Sequence, residues 1–196
     1  DGDNSRYGTA IAGTVSGDSI SFGTPVVFNN TESSYQISAV YDPVANKVVI
    51  AYRDNGNSSY GTAIAGTVSG DSIIFGTPSV FNSNGVTAYI SPTYDPVANR
   101  VVIAYKDQGN SNYGTVVAGT VSGDSISFDT PTVFNSAKTE EISATYDSLA
   151  NKAVIAYADI NNSRFGNAAT YSTGGLVTNL TDSNYIGVST DDYADG

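Results

Sequence analysis

Three near-copies of one segment constrain this chain more than anything else in it. Tyr7–Phe28 reads YGTAIAGTVSGDSISFGTPVVF and returns with few changes as Tyr60–Phe81 and Tyr113–Phe134, a period of about 53 residues. The intervening stretch repeats too, as YDPVANKVVIAYRD at Tyr41–Asp54, YDPVANRVVIAYKD at Tyr94–Asp107 and the looser YDSLANKAVIAYAD at Tyr146–Asp159. A chain of this kind builds stacked units, each burying its apolar surface against its neighbours.

Each unit reads as four antiparallel strands. Tyr7–Val15 is rich in Thr, Ala, Ile and Val and ends at Ser16-Gly17-Asp18, a short hairpin signal. Ser19–Phe28 returns with Ile20, Phe22, Val26 and Phe28 in alternation, and Pro25 marks a bulge or a strand open on one side. Ile37–Tyr41 runs into Asp42-Pro43-Val44-Ala45-Asn46, where Asp-Pro opens a turn and Asn tolerates a positive φ. In Lys47–Arg53, Val48, Ile50 and Tyr52 point one way and Val49 and Ala51 the other, so both faces are covered. Small residues at Gly8, Ala10, Ala12 and Gly13, repeated at Gly61, Ala63, Ala65 and Gly66, suit close approach of neighbouring layers. No stretch has sustained helical periodicity.

The fold expected is therefore all-β, with tandem four-stranded antiparallel repeats over residues 1–164 in units of about 1–53, 54–106 and 107–158. Four strands per repeat is the arithmetic of a β-propeller blade. The aliphatic hairpin across DPVANK, followed by one across SGDS that ends in FGTPVVF, resembles the blade pattern of sialidase-type propellers. The Ser-x-Asp-x-Gly-x-Thr-Trp box of that superfamily is absent, as the chain has no Trp. The repeats count to about three blades, fewer than the four to eight of closed propellers. The ring is then incomplete or closed by oligomerisation, or the units stack as an open β-solenoid with edges that invite self-association. Residues 165–196 read as a degenerate last repeat, without the SGDS turn and FGTP strand, and the start of a C-terminal segment. A chain without Met that opens inside a repeat, DGDNSRYG matching DNGNSSYG, is expected to be a processed product or part of a longer polypeptide.

Composition excludes several functions. Eight basic residues against nineteen acids, for a net charge of −11, cannot form the basic patch that nucleic acid requires. The absence of Cys and His removes disulfides, thiol catalysis, Cys-based zinc sites and the commonest general base. The three Glu, at 32, 140 and 141, all lie in the variable loop after each FGTP segment, and no two carboxylates can be assigned acid and nucleophile roles. No apolar run approaches the roughly 18 residues of a membrane helix, so no membrane insertion is expected. The expectation is a non-enzymatic protein without a resident cofactor.

Two sets of residues are candidates for binding. The loop DNGNSSYG at Asp54–Gly61 and its copies place Asp54, Asn57, Asp107 and Asn110 where carboxylate and amide oxygens suit Ca²⁺. The spacing lacks the further carboxylates of an EF-hand loop, and the competing reading is that these Asx and Ser side chains cap turn backbone. The loops at Asn29–Tyr35, Asn82–Tyr89 and Asn135–Glu141 differ between copies and suit recognition of cell-surface glycans through Asn30, Glu32, Tyr35, Asn84, Tyr89, Lys138 and Glu140. The recurring tyrosines Tyr41, Tyr52, Tyr60, Tyr94, Tyr105 and Tyr113 are expected to pack between layers, their hydroxyls satisfied at the rim.

The repeat, together with Asn184-Tyr185-Ile186-Gly187-Val188-Ser189 and Tyr193-Ala194-Asp195-Gly196 at the tail, resembles proteins common in marine and freshwater bacteriophages. In those, tandem units of this form precede a small β domain. The resemblance covers nearly the whole chain. It implies a virion or extracellular structural component, of tail-fibre or filament type, that self-associates and contributes to attachment.

Overall fold

The computed structural model describes residues 6–173 and 176–179. The tail motif named above and the first copy of the DxGN loop, at Asp1, lie outside or at the margin of these residues. The described chain is all-β apart from one 3-10 turn at Asn55–Asn57, and none of its helices is long and apolar enough to cross a membrane.

The leading unit, called the leading sheet below, comprises two two-stranded pieces, β1 (Gly8–Ala10) with β4 (Val26–Asn29) and β2 (Gly13–Ser16) with β3 (Ser19–Phe22). The first full set is β5 (Ser34–Asp42), β6 (Lys47–Asp54), β7 (Tyr60–Ser69), β8 (Ser72–Phe75) and β9 (Ser79–Asn82). The second is β10 (Thr87–Asp95), β11 (Arg100–Asp107), β12 (Tyr113–Ser122), β13 (Ser125–Phe128) and the start of β14 (Thr132–Asp147). The third begins in the second half of β14 and continues through β15 (Lys152–Asp159), β16 (Phe165–Ser172) and β17 (Leu176–Asn179). Each set is an antiparallel meander, the second and third being joined through the long β14 in one 8-stranded sheet, and among the described residues no sheet closes on itself.

The four-strand reading needs one correction. The last strand of a unit is two collinear pieces, so that β7 pairs with β8 through its second half and with β9 through its first. The break falls at Gly76-Thr77-Pro78, because Pro78 has no N–H to give the ladder. The third set also retains more than its sequence suggests: β16 and β17 still pair, Ser172 opposite Leu176, since Leu-Val-Thr-Asn suits a strand without the SGDS turn.

Turn chemistry follows the sequence closely. Gly17, Gly70 and Gly123 open the two-residue hairpin turns with φ of +58°, +60° and +58°, where a side chain would be strained. Asn46, Asn99 and Asn151 close the Asp-x-x-x-Asn turns in the left-handed region. Asp42 Oδ1 accepts the Val44 and Ala45 N–H groups at 3.0 and 2.9 Å, and Asp95 repeats this on Val97 and Ala98.

The core lies between successive sheets. Val49, Ala51, Ala63 and Ala65 of the first sheet pack on Ile103, Tyr105, Val117 and Ile126 of the second. Val102, Ala104, Val116 and Ala118 on the second sheet's other face pack on Ala153, Ile155, Tyr157 and Ala169 of the third. The first sheet's Ile50, Tyr52 and Ile64 meet Phe28 of the leading one. Each junction thus sets a small-residue face against a large-residue face, and alternation along one strand serves two junctions.

One aromatic contact marks every junction. Phe28, Phe81 and Phe134 meet Tyr52, Tyr105 and Tyr157 of the following sheet with ring centroids 5.1, 5.2 and 5.1 Å apart. Each Phe ring lies over a glycine: a Cβ on Gly61 would come within 2.4 Å of Phe81. Gly76 has a different reason, since a Cβ there would stand 1.9 Å from the backbone oxygen of Asp124, in the hairpin turn of the next sheet. The third copy of this position is Asp129, and the third sheet lacks the SGDS turn that would press on it.

Candidate functional site

Strand direction sorts the loops. The Asp-x-x-x-Asn and Ser-Gly-Asp-Ser turns gather at one end of each sheet, while the DxGN loops and the variable loops gather at the other. Both sets of candidate residues therefore share this second, loop-bearing end.

There the carboxylates act on backbone. Asp54 Oδ1 accepts from Gly56 N at 3.1 Å, Asn29 Nδ2 at 3.0 Å and Thr31 Oγ1 at 3.2 Å. Asp107 Oδ1 accepts from Gly109 N at 3.0 Å and Asn110 N at 3.3 Å, and its Oδ2 takes Asn84 Nδ2 at 3.3 Å. Asp159 repeats the cap on Asn161 and Asn162. These donors take one carboxylate oxygen of Asp54 and of Asp159 and both oxygens of Asp107. Asn57 is exposed on the 3-10 turn that Asp54 caps. Among the described residues no three His, Cys, Asp or Glu side chains gather as a metal site.

The variable loops turn out to be junction pieces as well as surface. Asn55, Gln108 and Ile160 donate their N–H groups to Ser33, Val86 and Lys138 of the preceding loop. Gly56 and Gly109 are required there, because a Cβ on Gly109 would lie 1.5 Å from the Asn84 carbonyl oxygen. The third copy carries Asn161 at this position, facing a loop one residue shorter that β14 runs straight through.

Between the first and second sheets this end opens into a cleft of about 320 Å³, lined by Asn82, Asn84, Tyr105, Asp107, Asn110 and Thr115 among others. The Tyr105 side chain is fully buried and its hydroxyl has no hydrogen-bond partner among the described residues. Burial, then the charge of Asp107, holds its pKa far above the ordinary tyrosine value. Tyr52 repeats this one junction earlier. These two hydroxyls are thus not at the rim as expected, whereas Tyr41 and Tyr94 do bond out to Asn46 and Asn99.

A second feature escaped sequence reasoning. The first strands β5, β10 and β14 each carry a bulge, between Tyr35 and Ser38, Ala88 and Ser91, and Glu140 and Ser143. At these bulges Gln36, Tyr89 and Glu141 take left-handed φ values of +53°, +51° and +51°. Bulges re-aim side chains, and here they assemble a charged line. Tyr89 N–H donates to Gln36 Oε1 at 2.9 Å, 53 residues away. The Arg53 guanidinium sits 4.9 Å from the Tyr35 ring centre and Lys106 Nζ 4.8 Å from that of Tyr89. Arg6 donates to the Tyr35 hydroxyl at 3.2 Å, which lowers the pKa of that tyrosine. Glu140 accepts three cations, Arg164 at 2.6 Å, Lys138 at 3.4 Å and Lys106 at 4.0 Å. Burial pulls the Lys106 pKa down although Glu140 opposes it.

Of the seven glycan candidates, Tyr35, Tyr89, Lys138 and Glu140 therefore come together along the bulges. Asn84 lines the cleft, and Asn30 and Glu32 stand exposed on the loop before it. Arg53, Lys106, Arg164 and Gln36 were missed. The first two share one position of the repeat, a basic residue before the capping Asp, and that spacing was a usable signal. No family model matches the chain, and neither a curated protein nor a solved structure matches it.

Proposed function

We propose that this chain is a non-enzymatic structural repeat protein of a virion fibre or tail, or of an extracellular filament, that self-associates and contributes to attachment at a surface. The observation that carries this reading is the reuse of one docking surface: each junction sets the same small-residue face against the same large-residue face, with a Phe–Tyr contact at each. Such stacking yields a rigid periodic scaffold whose loops are held at one end. The phage-like repeat directs the reading toward a virion.

Within this reading the units are propeller-like blades. Direct bonds between first strands 53 residues apart, Tyr89 N–H to Gln36 and Ala144 N–H to Ser91, support first strands that lie innermost around an axis. An open solenoid is the alternative. Electron microscopy of the associated protein separates ring from filament, and light scattering that shows only monomer at high concentration overturns the self-associating reading.

A second reading, a lectin-like module, is favoured by the polar cleft at Asn84, Asp107 and Asn110 and by the unpartnered Tyr105 hydroxyl within it. Its test is a glycan array with the wild-type chain and Tyr105→Phe. Binding lost in the variant supports it, and a blank array with associated protein counts against it.

A further inference from the structure

The leading sheet leaves bare a face whose isoleucine positions the next two sheets bury, although Val68, the counterpart of Val15, stays 41% exposed. Ile11, Val15, Ile20 and Phe22 are 46, 69, 56 and 63% exposed. One repeat on, Ile64 and Ile73 are 2 and 7% exposed, and two repeats on, Val117 and Ile126 are 0 and 6%. Val117 and Ile126 are covered by the small-residue face of the preceding sheet, Val49, Ala51, Ala63 and Ala65.

That small-residue face recurs on the third sheet. Val154, Ala156 and Ala168 stand where the first sheet has Val49, Ala51 and Ala63. Ala156 is exposed and the other two half-buried, whereas all three first-sheet residues are completely buried. The leading and third sheets thus present the two complementary halves of the internal junction.

Charge agrees with shape. Across the junction of first and second sheets, Lys47 Nζ pairs with Asp124 Oδ1 at 2.7 Å. The third-sheet counterpart of Lys47 is Lys152, and the leading-sheet counterpart of Asp124 is Asp18. Neither has an ion-pair partner among the described residues.

We infer that a second copy of this chain docks head to tail. Ile11, Val15, Ile20 and Phe22 of one copy seat on Val154, Ala156 and Ala168 of another, and Asp18 of the first meets Lys152 of the second. This contact is heterologous, so copies add without limit unless the geometry closes a ring. The inference rests on the self-associating reading above and names the surface it uses.

Sedimentation of the full chain over a concentration series tests it, with Ile20→Asp/Phe22→Asp on one face and Ala156→Arg on the other. Wild type is expected to associate, and either variant to weaken association at least about tenfold. An equimolar mixture of the two variants retains one good face of each kind and is expected to form pairs that grow no further. Asp18→Lys and Lys152→Glu each weaken association, and together in one chain restore it. Wild-type monomer at every concentration overturns both this docking and the self-associating reading. Association that survives both face variants overturns the docking alone. Thermal unfolding of the monomer supplies a control. Ile20→Asp is expected to leave Tm near wild type while Ile73→Asp lowers it, and equal losses would mean that the same chain covers Ile20, which also overturns the docking.

Discussion

Gly76→Ala probes whether stacking, and not backbone conformation, keeps the FGTP glycine. Gly76 has no left-handed φ, so alanine meets no conformational penalty of that kind. Its Cβ would stand 1.9 Å from the Asp124 carbonyl oxygen, a backbone atom that no rotamer change can move. The turn must retreat, which overpacking precedents put at about 1–3 kcal/mol. Retreat also breaks the Thr77 N–H bond to Asp124 O at 3.0 Å, about 1 kcal/mol more. The Lys47–Asp124 pair adds little, since the Asp124 side chain is 72% exposed. The expected loss is roughly 2–4 kcal/mol, measured by urea unfolding followed by circular dichroism. Two controls separate the causes. Gly17→Ala has open space but a φ of +58° and should lose only about 1 kcal/mol. Asp129→Gly occupies the same repeat position with no SGDS turn against it, and gives up its ion pair with Arg100 and some backbone restriction, so it should lose only about 1 kcal/mol. A Gly76→Ala protein within about 0.5 kcal/mol of wild type would refute the steric argument.

Phe81→Ala should cost about 3–5 kcal/mol, because the ring fills the junction against Tyr105 and Phe128. Gly61→Ala added to it should cost far less than Gly61→Ala alone, a coupling that a double-mutant cycle reads directly. Asp107→Ala strips the cap from Gly109 and Asn110 and leaves Asn84 without its acceptor, for a loss of about 1–3 kcal/mol in urea unfolding; equal loss with and without Ca²⁺ is the result expected of a cap. Burial raises the pKa of Tyr52 and Tyr105 above 10.0, so the folded chain keeps protons that the unfolded chain releases. Stability should hold below about pH 10 and fall as pH rises beyond it, and Tyr105→Phe should remove part of that fall in alkaline melts. Glu140→Gln removes the carboxylate shared by Lys106, Lys138 and Arg164 and should lower the Lys106 pKa further, which side-chain NMR would register.

The repeat alone determined much of this protein. Its period set the spacing at which the strands recur, its Gly and Asn positions set the turns, and apolar residues on both sides of Lys47–Arg53 required a sheet on each side. These properties are local: alternation and turn φ are decided by a residue and its near neighbours in the chain. Even the junctions left a trace, since glycine gives way to Asp129 and Asn161 where the following turn or the facing loop changes.

The loop-bearing end was decided otherwise. Gln36, Tyr89 and Glu141 occupy one bulge position with three unrelated side chains, so no motif announced them. Tyr52 and Tyr105 do pack between layers as the sequence suggests, but their hydroxyls are buried short of the rim, because that depth depends on how the preceding sheet and its Phe are placed. Glu140, Lys106 and Arg164 come from two strands and a turn and meet only once the sheets are packed. Contacts between residues tens of positions apart follow from how one sheet is placed on the next, and that placement exists only in the packed tertiary structure.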